Sequence, residues 1–378
     1  MSKEPGFNPS RLTLARKRRG MTMTRLASKI DVELRSVSGY EKGEYCPDED
    51  KLLRLTRTLG FPREFFFGPD LDEPTPDVAS FRALKRMTAA QRDTALGSGA
   101  LALLFNSWVE RRFMLPTPEL PDLSRERDPE SAAEQLRDVW GLGVLPIKNV
   151  VHLLEAKGVR VFSLSIEAKE VDAFSMWRQE TPFIFLNTAK SAEHGRFDGG
   201  HELGHLLLHR HGVPQGQDAE REANAFASAL LMPRSTVLAV APRFTTVDRL
   251  IELKKIWNVS VAALAYRMHT LGLMSDWQYR NVAIELSQRG FRKNEPAPSP
   301  REISQVFAKV SLALREDGVT KEMVAAELKI PVQEIEQLVF GLLVTGIAGG
   351  ADERKKNPSG RPKLVVVRPE RTEPRNRS

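Results

Sequence analysis

The chain has 378 residues, 41% of them hydrophobic, so it exceeds one ordinary domain and is apolar enough to bury real cores. Its formal net charge of +7 favours a polyanionic partner. Cys46 is the only cysteine, which excludes a disulfide framework and a cysteine zinc cluster and suits a reducing compartment. The start, MSKEPGFNPSRL, lacks the apolar core of a signal peptide, and the longest apolar runs fall short of the roughly 18 residues of a membrane span. These features predict a soluble, cytoplasmic protein with no membrane association.

Residues 1–68 read as an all-α bundle. Leu12, Leu14 and Ala15 supply the apolar side of a first helix that Gly20 ends. Thr22 is placed to cap a second helix, with Leu26, Ala27 and Ile30 on its inner face. Ala27 is small, which lets a third helix cross closely. The turn falls at Asp31-Val32, where aspartate tolerates the backbone better than most residues other than glycine. The third helix runs from about Glu33 to Lys42, with Val37 and Tyr40 inward, and Gly43 ends it.

The pattern MTMTRLASKIDVELRSVSGYEKGEYCPDEDKLLRLTRTLG resembles the XRE/Cro-type helix-turn-helix family. The resemblance implies double-stranded DNA as a partner, with the third helix in the major groove, and a homodimer on paired half-sites. Leu34, Arg35, Ser36 and Gly39 then take the outward positions. Arg35 is the best reader of a guanine edge, because its fork matches O6 and N7. Arg16, Lys17, Arg18 and Arg19 are expected to neutralise phosphates. Leu34 and Gly39 stand where a polar base-reading side chain is more usual, so readout rests on few contacts. The plainer alternative is a helical dimerisation module whose charges are merely solvated.

Residues 69–130 open on the Pro/Asp-rich GPDLDEPTPD and continue into a long helical stretch, TAAQRDTALGSGALALLFNSWVERRF, read as a packing linker. Residues 131–275 mix helix and strand. AAEQLRDVW and PIKNVVHLLEAKG have helical period, while GVRVFSL, VDAFSMW and PFIFLN are short β-runs.

HELGH, residues 201–205, follows. On a helix His201 and His205 share a face and can reach one cation, while Glu202 stays near a water beside it. Zinc lowers the pKa of such a water from about 16 toward about 7, within reach of a glutamate base. A third ligand is needed from elsewhere. AEREANAFASALLMP reads as a second amphipathic helix carrying Glu220 and Asn224 at i, i+4. A glutamate there completes a two-histidine, one-glutamate site, and Asn224 is placed to orient a ligand. Glu222 projects roughly 160° away from the Asn224 side and is the weaker candidate.

PFIFLN, RFDGGHELGHLLLH and EREANAFASALLMP together resemble the ImmA/IrrE family of zinc metallo-endopeptidases, for which a Cro-like module is a common companion. The resemblance implies Zn2+ held by His201, His205 and Glu220, with Glu202 as general base and PFIFLN as a substrate-binding edge strand. One departure is Gly199-Gly200, worth about 1–2 kcal/mol of helix propensity relative to alanine. His209 is read as a helix-end residue rather than a ligand, and His194 and His211 as loop residues. Arg196, Tyr266 and His269 are all conceivable oxyanion stabilisers, with nothing in the sequence to choose among them.

Residues 276–348 look helical. EDGVTKEMVAAELKIPVQEIEQLVFGLL is superficially a second helix-turn-helix, but Glu334 and Glu336 replace a basic outer face, so it is read as an interaction module. The Gly/Pro-rich basic tail, 349–378, is expected to be disordered. The fold expected is mainly α and multidomain: a helix-turn-helix bundle, an α+β zincin-like domain with a small sheet, then a helical C-terminal region. The function expected is a DNA-binding transcriptional regulator, tied to stress response, whose zinc endopeptidase cleaves a repressor or antitoxin-like protein. The alternative is a non-proteolytic regulator or antitoxin whose metallo-domain senses zinc or a ligand.

Overall fold

A computed structural model describes residues 6–74, 88–164, 173–211, 216–343 and the strand residues 365–366. Four helices open it: α1 (Pro9–Arg18), α2 (Met23–Ile30), α3 (Leu34–Lys42) and α4 (Glu49–Leu59), followed by a 3-10 turn, Arg63–Phe67. Thr22 accepts from Arg25 N to cap α2, and Asp31 takes the left-handed conformation (φ 57°) that turns the chain into α3. Leu12, Leu26, Ile30 and Val37 are fully buried, so the apolar spacing read in the sequence is the packing of this bundle.

The expected linker contains α5 (Ala89–Glu110), a helix buried on most of its circumference. It lies against α1 so closely that a Cβ on Gly97 would sit 3.2 Å from Arg18 Cα. Strand β1 (Phe113–Met114) pairs antiparallel with β5 (Val365–Val366). The rest of the basic tail lies outside the described residues.

A three-stranded sheet follows, built from β2 (Arg160–Ser163), β3 (Ala173–Arg178) and β4 (Thr181–Leu186) in the order β2-β4-β3. β2 runs parallel to β4 and β3 antiparallel to it. Period-two alternation divides the faces. Phe162, Phe174, Phe183 and Phe185 share one side, with Phe162 packed on Phe105 of α5 and on Phe307. Ile184 and Ser175, opposite each other in register, share the other side, which α8 (Ala192–Leu208) covers. PFIFLN is therefore the central strand rather than the expected substrate edge. Among the described residues the edge beside α8 is β3.

α9 (Gln217–Leu231) packs along α8, with α6 (Pro129–Val139) on α9 and α7 (Val150–Ala156) on α8. The two glycines that depart from the family pattern serve this packing. A Cβ on Gly200 would stand 3.4 Å from Ala227 Cβ, and one on Gly199 3.2 Å from Val150 Cγ1. The helices α10 (Arg234–Val240), α11 (Val247–Lys254), α12 (Val261–Thr270) and α13 (Asp276–Gln288) complete this part.

The chain then returns along α8. Ser299 N donates to Glu193, Lys254 bridges Glu193 and Glu295, and Glu302 pairs with Arg196 while accepting from Val150 N and Val151 N. Beyond it α14 (Gln305–Glu316), α15 (Lys321–Leu328) and α16 (Val332–Leu338) carry the chain back to α1 and α5. Among the described residues no single helix is long and apolar enough to cross a membrane; α9 and α10 pass that test only as a pair bent by 59°.

Candidate metal centre and nucleic-acid interface

α8 begins at a cap, Ser191, and its 17 residues carry His201 and His205 one turn apart on the side facing α9. Gly204 sets the approach of the two helices: a Cβ there would meet Phe226 Cδ1 at 3.0 Å and Ala223 Cα at 3.3 Å. That closeness brings Glu220, in the first turn of α9, to the histidines. His201 Nε2 and His205 Nε2 are 3.1 Å apart, and the Glu220 carboxylate lies 3.6 Å from the first and 3.4 Å from the second. One donor atom from each falls within 4.8 Å of the others, the only such group of three found among the described residues.

The opposite ring nitrogens are occupied. His201 Nδ1 is 3.0 Å from Asn224 Oδ1, where Asn224 was expected to act, and His205 Nδ1 is 2.9 Å from His209 Nδ1. With each ring proton on Nδ1, the two Nε2 atoms and the Glu220 carboxylate form the donor set that a divalent transition metal takes with a position left open. Burial pushes the His201 pKa down, toward the neutral ring a ligand needs. At His205 burial acts the same way, but the hydrogen bond to Glu220 and the charges of Glu202 and Glu220 prevail and raise it.

Glu202 is buried beside this pair. Ser175, from β3, donates its hydroxyl to Glu202 Oε2 at 2.6 Å. The sheet register that turns Ser175 toward α8 therefore fixes the carboxylate. Ser175 was not singled out in the sequence, where a serine inside a short β-run carries no signal until strand order is known.

One turn before Glu202, Asp198 lies 3.5 Å from His194 Nε2. Burial, opposed by His194 and Lys190 and aided by Glu202, raises its pKa to about 6. The folded chain therefore holds this proton more tightly than the unfolded one, whose aspartate ionises near 3.9. Its stabilising effect is present below about pH 4 and is lost as pH rises through about 6, a fall of at most about 3 kcal/mol. Denaturant titrations of chelated protein at pH 4 to 7 should show that decline, and Asp198→Asn should flatten it.

The remaining histidines have other places. His194 lies within α8 rather than in a loop, 3.2 Å from Lys190 Nζ; His211 meets Asp122 at 3.1 Å; His269 stacks on Tyr279 and meets Asp276 at 2.7 Å. Arg196 is buried, paired with Glu302 and donating to Ile147 O, so it holds the helix in place rather than facing a substrate. Tyr266 packs edge-on to Tyr279, beside His269.

On the N-terminal bundle, α3 presents Leu34, half exposed, and Arg35, whose side chain is 82% exposed and 2.8 Å from Glu33. Ser36 is partly exposed between them and the core. Gly39 is buried under Tyr45, whose ring would clash with any Cβ there at 2.4 Å; Tyr45 itself is the exposed group at that position. The basic run at the end of α1 turns inward. Arg16 makes a two-pronged pair with Glu41; Arg18 is fully buried against Glu334 and Gln337; Arg19 joins the same Glu334. Lys17, half buried, lies near Glu73, whose carboxylate its charge favours. Exposed basic residues besides Arg35 include Arg25 and Lys29 on α2 and Lys42 at the end of α3.

With this geometry in hand, comparison with protein families gives two matches. The IrrE N-terminal-like domain of the M78 peptidases matches residues 154–269, which span β2–β4, α8, α9 and the three side chains His201, His205 and Glu220. The helix-turn-helix family matches residues 12–66. No curated protein matches the chain. The chain joins an XRE-type helix-turn-helix domain to an IrrE-like domain of the M78 peptidase family.

Proposed function

We propose that this regulator cleaves a protein partner, a repressor or antitoxin-like regulator, at a zinc centre held by His201, His205 and Glu220, and that it works in the cytoplasm as a homodimer on double-stranded DNA. The observation that supports this most directly is the convergence of two Nε2 atoms and a carboxylate next to a buried, hydroxyl-anchored Glu202. Zinc bound there supplies a Lewis acid for water and for the scissile carbonyl. Glu202 takes a proton from the attacking water and returns it to the leaving amine. Ser175 holds the Glu202 carboxylate in place during both transfers. β3, which among the described residues is the sheet edge beside α8, is placed to pair with an extended substrate segment.

The metal reading is tested by elemental analysis. Wild-type protein should carry zinc and lose it to a chelator, whereas His201→Ala and Glu220→Ala should purify nearly free of it while keeping their helical circular dichroism. Undiminished zinc in both variants would place the metal elsewhere.

The DNA-binding domain predicts its own result. Arg35→Ala should weaken specific operator binding by about 1–3 kcal/mol, roughly 5- to 150-fold, with little change in the salt dependence of the residual binding. By the same argument Arg18→Ala acts through folding, since its guanidinium is buried against Glu334. A gel-shift series across salt concentrations separates the two.

A further inference from the structure

α8 does not end at its second metal-facing histidine. One turn beyond His205 comes His209, and the two rings face each other through their Nδ1 atoms at 2.9 Å. The other nitrogen of His209, Nε2, lies 3.0 Å from Glu222 Oε2 on α9. The His209 side chain is 8% exposed and that of Glu222 34%, so the pair sits at the rim of the site rather than in open solvent.

The protons of this row are fixed by chemistry. For His205 Nε2 to present a lone pair toward His201 and Glu220, its ring proton must be on Nδ1. His205 Nδ1 therefore donates, and His209 Nδ1 must accept. The His209 proton is then on Nε2, where a carboxylate stands to receive its hydrogen bond. Every partner has a role that suits its neighbours, and no other arrangement leaves His205 Nε2 free while satisfying both contacts.

We infer that His209 and Glu222 form a positioning relay, carboxylate to imidazole to imidazole, that fixes the tautomer and ring angle of His205 for the metal. The inference rests on the zinc reading of the site. Asn224 does the same for His201 in one step, its amide oxygen accepting from Nδ1 at 3.0 Å. The two ligands are thus held from opposite ends of the site: His201 by a neutral amide, His205 by a row that ends in a negative charge. That charge raises the basicity of His205 toward a cation, an effect an amide cannot supply. Glu222 is a ligand in neither case: it reaches the metal only through two rings.

The test is zinc affinity of the full chain by competition with a chromogenic chelator, together with the visible spectrum of the cobalt-substituted protein. His209→Ala should lower zinc affinity about 10- to 100-fold, and Glu222→Ala should lower it in the same direction by less. His209→Asn is the rescue, because its Oδ1 occupies nearly the place of the lost Nδ1 and can accept the His205 proton. It should return affinity to within a few-fold of wild type and restore the cobalt spectrum. Wild-type affinity in folded His209→Ala and Glu222→Ala would overturn the relay while leaving the zinc site standing. A His209→Asn protein as weak as His209→Ala would also overturn it, showing that His209 acts as a ligand or by packing alone. A wild-type protein that binds no zinc would remove both readings at once.

Discussion

Glu202→Gln is expected to lower peptidase turnover about 10²- to 10⁴-fold, to the limit of detection in a slow enzyme, with zinc content and operator binding unchanged. The argument is one of shape against charge. Glutamine fills the same buried place, and its amide oxygen can still accept from the Ser175 hydroxyl, so the packing of α8 on β3 is preserved. What is lost is the only group at this position that can take a proton. His201, His205 and Glu220 are untouched, and so is α3. Ser175→Ala should give a smaller loss, because the carboxylate remains and only its orientation relaxes. The measurement is mass spectrometry of repressors co-expressed with wild type and with each variant. If regulation in cells survives Glu202→Gln yet fails with Arg35→Ala, the non-proteolytic sensor becomes the better account, and the metal centre is then structural or sensory.

Much of this centre was legible because its geometry is local. His201 and His205 are one helical turn apart, and so are Glu220 and Asn224 on the next helix, so spacing alone places each pair on a face. What spacing cannot show is the relation between elements distant in sequence. PFIFLN has the composition of any buried strand, and only the order β2-β4-β3 reveals that it lies in the centre and that Ala173–Arg178 provides the edge among the described residues. Ser175 gains its role from that register. In the sequence Gly199 and Gly200 are a cost in helix propensity, yet they lie where Val150 and Ala227 leave little room for a methyl group. Gly39 read as an outward position, and Tyr45 covers it. In the sequence His209 and Glu222 are a helix-end residue and a weaker ligand candidate, because the contact between them depends on how α8 packs on α9. The arginine run shows the same limit most plainly. Four consecutive basic residues suggest a phosphate-facing surface, but Glu41 turns Arg16 inward, and the partner of Arg18 and Arg19 is Glu334, 316 positions from Arg18.

That partner carries the largest expected effect on stability. Arg18, Arg19 and Glu334 form a triad in which Arg18 is fully buried, Glu334 is 1% exposed and Arg19 is partly open. Arg18 reaches Glu334 Oε2 at 2.9 Å and Arg19 reaches Oε1 at 2.7 Å, so both carboxylate oxygens are taken. Gln337 adds a further acceptor to Arg18. Removing the carboxylate leaves a buried guanidinium with its principal charge partner gone, and such losses cost about 3–5 kcal/mol. Glu334→Ala should therefore lower the denaturation midpoint of the N-terminal bundle as well as that of the C-terminal helices, since α16 and α1 share the triad. Removing all the charges is a different matter, because a buried ion pair has already lost most of its Coulomb gain to desolvation. A variant with Arg18→Met, Arg19→Met and Glu334→Leu should recover most of the stability that Glu334→Ala loses. Chemical denaturation of the three proteins reads both terms. If Glu334→Ala unfolds like wild type, the C-terminal helices do not hold the DNA-reading bundle through this triad. If instead the apolar replacement is as unstable as Glu334→Ala, then the geometry of the ions matters more than their burial. In the expected outcome, the run that resembles a phosphate-binding strip joins the helix-turn-helix bundle to the C-terminal helices, and the segment before those helices reaches α8 through Glu302.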